Sequence, residues 1–139
     1  TVDEHEIIKT HAAKTREILK QISFEGPYRE VPAIAGAHHE HVDGNGYPDG
    51  LVGDAIPMGA RIIAVADFFE AITSKRHYRE PMTLQEAIRL LRKNSGTHLD
   101  PQVVEAFIRF ATRRFNLPHS PTRQLGSPAF TPQQSTNGV

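Results

Sequence analysis

The chain has 139 residues, enough for one domain with a single core. It contains no cysteine, which excludes a disulfide framework and a thiolate metal site and leaves imidazole and carboxylate as the available metal ligands. Sixteen basic residues balance sixteen acidic ones, so no net field draws in nucleic acid or a membrane surface, and the lack of a signal-like start or a long apolar run predicts a soluble, cytoplasmic chain.

The opening "TVDEHEIIKTHAAKTREILKQI" reads as a helix, begun by a capping box of Thr1 with Glu4. Ile7, Ile8, Ala12, Thr15, Ile18, Leu19 and Ile22 recur at helical spacing, and His11 falls on the same stripe. That placement turns the imidazole toward the core, where an isolated histidine is more often hydrogen-bonded than ligating. Gly26 and Pro27 break the helix, and a short one restarts near Pro32, a favourable first helical residue. It carries Ala33, Ile34, Ala35 and Ala37 into His38 and His39.

Gly44, Gly46 and Pro48 stop that helix and predict a rigid irregular loop through "DGNGYPDGLVGD". Asp43-Gly44 and Asp49-Gly50 also suit a hairpin turn, but no alternating strand pattern flanks them. "GARIIAVADFFEAITSK" is apolar nearly all round and predicts a helix buried on several sides. Asp67 stands in its middle between Ile63 and Ala71, where an ionised carboxylate needs a cation or a metal.

Two more helices follow. "TLQEAIRLLRKNSG" has a capping box, Thr83 with Glu86, and stops at Gly96. "DPQVVEAFIRFATRRF" has Asp100 as N-cap and Pro101 as its first helical residue. Beyond residue 115 the helical period is lost, and the Pro-, Ser- and Gln-rich stretch 116–139 is expected to be a disordered tail. The expected fold is an all-α bundle of about five helices over 1–115 with one glycine-rich loop.

His11, His38, His39 and Asp67 each fall in or at the end of a separate apolar helix, and bundles build metal sites from such inward-pointing groups. Neighbours on a helix differ by about 100° in direction, so His38 and His39 would straddle a site, which suits two ions better than one. The donor set suits iron, manganese, nickel or zinc, and paired ions serve in-line displacement at phosphorus. Arg76 and Arg79 are spaced to grip a phosphate. The alternatives are a polar helix end at His38, His39 and His41, an Asp67 ion pair with Arg61 or Arg76, and solvated arginines. A zincin motif starting at His39 fails, because the second histidine would stand at Asp43.

"HHEHVDGNGYPDGL" followed by "IPMGARIIAVADFFEAITSKRHYRE" resembles the HD-GYP family of the HD hydrolases, bacterial cyclic di-GMP phosphodiesterases. The upstream "EHEIIKTHAAKTREIL" and downstream "GTHLDPQVVEAF" are similar to the same family, so the likeness spans roughly 1–115. It implies an HD-type helical domain with two or three divalent ions, iron or manganese favoured, hydrolysing cyclic di-GMP to linear pGpG or GMP. By position, the resemblance makes His11, His38, His39 and Asp67 metal ligands and places Arg76, Arg79 and Tyr47 at the substrate. Gly46, Tyr47 and Pro48 would form the loop that names the family, which in some members contacts GGDEF domains. Glu40 and Asp43 would orient the imidazoles and the loop.

The family's His-Asp pair and nearby lysine have no counterpart here, and His77 stands where the family has proline. The resemblance therefore implies the C-terminal part of a larger protein with an upstream sensory or receiver domain, inactive as this piece alone. The competing expectation is a module that senses cyclic di-GMP or docks a GGDEF partner without turnover.

Overall fold

The computed structural model describes residues 2–75 and 80–115. Five α-helices follow in order: α1 Val2–Leu19, α2 Val31–Gly36, α3 Met58–Thr73, α4 Leu84–Asn94 and α5 Pro101–Arg114. Two single-turn 3-10 helices, Gly26–Tyr28 and Gly53–Ala55, punctuate the connections. No strand occurs among the described residues, so the all-α expectation holds, while the tail 116–139 and the Thr1 cap lie outside them.

The helix starts follow from local chemistry. Thr83 accepts the backbone N–H of Glu86, and the Glu86 side chain accepts the backbone N–H of Thr83 in return. Asp100 accepts from the backbone N–H groups of Gln102 and Val103 with Pro101 next in line, closing the start of α5. Arg61 of α3 donates to Asp100 at 2.9 Å and to Asp54 at 2.8 Å, tying α3 to the start of α5. Arg61 is thus committed elsewhere and is not a partner for Asp67.

Two apolar clusters hold the molecule. The larger joins α3, α4 and α5 through Val65, Leu91, Leu99, Val104 and Ile108, with Phe68, Phe69, Ile88 and Phe107 packed around them. The smaller consists of Ala37, Ile56 and Ala60, flanked by Ile34, Val42 and Leu51. It lies beneath the glycine-rich loop and joins α2 to the start of α3. Helix α1 packs against α2 at the edge.

Three expectations about burial are corrected. His11 is exposed, and of its stripe Ala12 is buried while Ile18 and Ile22 are 63% and 53% exposed. Among the residues of α1 whose burial is described, Ala12 alone is fully buried. The α3 helix is not buried on several sides, since Ile62 is 51% exposed and Ile63 38%. Asp67 lies on that open face and is itself exposed. The apolar character of α3 is real, but no described helix covers this side, so the carboxylate there carries no burial cost. No described helix is long and apolar enough to cross a membrane.

Candidate metal centre

Helix α2 ends at Gly36, and His38 and His39 fall in the turn that follows it. The pair therefore does not diverge as helical neighbours would; the two rings lie side by side with centroids 4.0 Å apart. The side chain of His11, brought in by α1, meets both, at centroid distances of 5.7 Å from His38 and 4.9 Å from His39. One ring nitrogen from each of the three lies within 4.8 Å of the others.

His38 donates from Nδ1 to the Ala35 carbonyl at 2.7 Å, which fixes its tautomer and leaves Nε2 as the lone-pair nitrogen. The Nε2 atoms of His11 and His39 are 3.1 Å apart. Two imidazole nitrogens bound to one ion at about 2.1 Å would be about 3.0–3.4 Å apart for ordinary ligand angles. The spacing fits a shared cation. Partial burial and the surrounding imidazoles of His38, His11, His41 and His98 lower the His39 pKa to about 4. The ring is therefore neutral near pH 7, the form a metal ligand requires.

The loop is built directly on this turn. Tyr47 stacks on His39 with centroids 4.9 Å apart, and its backbone N–H donates to the His39 carbonyl. Gly46 approaches so closely that a Cβ there would stand 2.2 Å from the His41 nitrogen and 2.5 Å from the Glu40 Cα, so only glycine fits. Glu40, 2% exposed, turns its carboxylate to the backbone N–H groups of Asp49 at 2.7 Å and Leu51 at 2.9 Å. Asp43 accepts from the Asn45 N–H at 3.0 Å, and Gly44 and Gly50 take positive φ values of 83° and 67°. A single antiparallel bridge, Asp43 to Val52, closes the loop at its base. These hydrogen bonds of Glu40 and Asp43 hold the loop, and through it the turn that carries His38 and His39.

Of the residues singled out in the sequence, His11, His38 and His39 come together, with Tyr47, Gly46, Pro48, Glu40 and Asp43 in the adjoining loop. Asp67 is outside the imidazole cluster. Arg76 and Arg79 lie outside the described residues. Two features went unforeseen. His41 stacks on His98 at 3.8 Å, and Arg16 of α1 forms a bidentate ion pair with Asp49. Each joins single residues far apart in the chain, for which sequence spacing carries no signal.

Comparison with known proteins bears out the family and the fold. The family model for the HD domain matches residues 1–103, and the chain belongs to that family. It is similar to the cyclic di-GMP phosphodiesterase response regulator RpfG of Xanthomonas campestris pv. campestris, 44% identical over 110 residues covering 78% of this chain and 29% of the relative. A cyclic di-GMP phosphodiesterase of Thermotoga maritima is 43% identical, with the same two coverages. The 3'3'-cGAMP-specific phosphodiesterase 3 of Vibrio cholerae is 40% identical over 74% of this chain and 22% of its own length. Among solved structures, a cyclic GMP-AMP-specific phosphodiesterase of V. cholerae superposes with a TM-score of 0.65 at 25% identity, covering 80% of this chain and 25% of that one. The chain spans less than a third of the length of these relatives.

Proposed function

We propose that this chain forms part of a metal-dependent phosphodiesterase acting on cyclic dinucleotides, and that His11, His38 and His39 are ligands of its metal centre. The convergence of three imidazole nitrogens within 4.8 Å carries the reading. Divalent ions in such a centre activate water and neutralise charge on a phosphodiester during in-line displacement. The protein's part is to keep His39 neutral, to hold the three imidazoles converging, and to set Tyr47 beside them as an aromatic face for substrate.

The preferred substrate is cyclic di-GMP, cleaved to pGpG or GMP, with iron or manganese as the metal. Relatives named for 3'3'-cGAMP make that dinucleotide the comparison substrate. Asp67 is assigned as a further ligand, and Arg76 and Arg79 as phosphate contacts. The three imidazoles supply most of the ligands of one tetrahedral ion, and Asp67, outside their cluster, would serve a neighbouring ion. Two or three ions need more ligands, which we assign to a polypeptide longer than these 139 residues.

Calorimetric titration of the protein with Mn²⁺ tests the core of the proposal. His11→Ala and His39→Ala should each weaken binding at least tenfold with helix content preserved. Binding that is unchanged in both variants refutes the metal centre. In the metal-loaded protein, cyclic dinucleotide binding without hydrolysis would favour a sensing module over an enzyme.

A further inference from the structure

Helix α1 brings one of the three imidazoles, yet it lies at the molecule's edge, packed mainly on the six-residue α2. A helix held by one face can still rotate and slide. A rotation of 20° carries a side-chain atom roughly 5–6 Å from the helix axis by about 2 Å, as long as a metal–nitrogen bond. Something must fix α1 against the turn that carries His38 and His39.

Arg16 meets that turn on both flanks. Its aliphatic stem lies over Gly36, two residues before His38, where a Cβ would come within 2.8 Å of the arginine Cβ and Cδ. Its guanidinium forks onto the two carboxylate oxygens of Asp49, the NH2 contact measuring 3.1 Å. The Asp49 backbone N–H in turn donates to Glu40, the residue directly after His39. The pair is partly shielded, with side-chain exposures of 24% and 36%. A bidentate arginine–carboxylate pair fixes orientation as well as distance, which an ammonium does not.

We propose that Arg16 is a positioning residue for the metal centre, which through Gly36 and Asp49 locks α1 in the rotation that presents His11 to His38 and His39. The inference rests on the metal reading above. It concerns no residue that touches the metal.

Mn²⁺ titration of variants tests it, with circular dichroism and thermal unfolding run in parallel. Arg16→Ala and Asp49→Ala should each weaken Mn²⁺ binding by about 10–100-fold, the range for residues that orient ligands. Arg16→Lys should fall between wild type and Arg16→Ala. The double variant should be no worse than Arg16→Ala alone, since Asp49→Ala removes only a contact that Arg16→Ala already removes. A merely stabilising ion pair would lower the thermal midpoint and leave Mn²⁺ affinity unmoved. Affinity within twofold of wild type in Asp49→Ala, while His11→Ala abolishes binding, overturns the positioning role and spares the metal site. Unchanged binding in His11→Ala itself would overturn the metal reading instead. Should Arg16→Ala fail to fold, Asp49→Ala decides, because it leaves the stem of Arg16 on Gly36 untouched.

Discussion

At His39, one imidazole is kept neutral by burial and by four neighbouring rings. Its pKa is about 4 in the folded protein against an ordinary 6.5. Between these values the unfolded chain takes up a proton that the folded one does not, so stability falls as the pH drops from 6.5 toward 4. Asp43, Asp49 and Asp100 are held below the usual carboxylate range by hydrogen bonds that outweigh burial, with Arg16 acting on Asp49 and Arg61 on Asp100. Their contribution is present above the ordinary aspartate pKa and is lost as the pH falls through their folded values. Urea unfolding of chelator-treated protein across this range should show a continuous acid decline. His39→Gln should flatten its upper part, and an unchanged slope in that variant would show that His39 is not its source.

Among the elements, the helix caps differ in how much depends on them. Thr83 serves only the exposed start of α4, and Thr83→Ala should cost about 1 kcal/mol. Asp100 is 7% exposed and both caps α5 and receives Arg61, whose side chain is nearly buried. Asp100→Ala should cost about 3 kcal/mol in urea unfolding, because it leaves a guanidinium in the interior with Asp54, almost wholly exposed, as its remaining carboxylate. Equal costs would mean that the Arg61 contact contributes nothing. Both caps were legible in the sequence, since a cap is written in three or four adjacent residues. The imidazole cluster was legible in its residue types. What sequence could not supply was which apolar faces would find a partner. Periodicity shows that α3 is apolar at Ile62, Ile63 and Ala66, but coverage depends on other elements, and here that face is open. The Arg16–Asp49 pair spans 33 positions and left no local pattern to read.

For the whole molecule, the two clusters set where substitutions matter. Leu91, fully buried in the larger one, should cost about 2–5 kcal/mol on conversion to alanine. Ile62 on the open side of α3 should cost within about 0.5–1 kcal/mol. A large penalty for Ile62→Ala in this chain would mean that the face is covered in solution, which sedimentation would reveal as self-association. The glycine-rich loop, by contrast, is fastened to the main body. Asp43 donates its backbone N–H to the Thr97 carbonyl, and the His41–His98 stack joins the loop to the turn between α4 and α5. His38 and His39 therefore sit beside a loop tied to the main body, while His11 sits on a helix packed mainly on α2. The two halves of the triad should then differ in local stability, with the amides of α1 exchanging with solvent faster than those of the turn. Any ligand that bridges them works as a fastener, and part of its binding free energy goes into docking α1, so that affinity and the order of the N-terminal helix become one linked equilibrium.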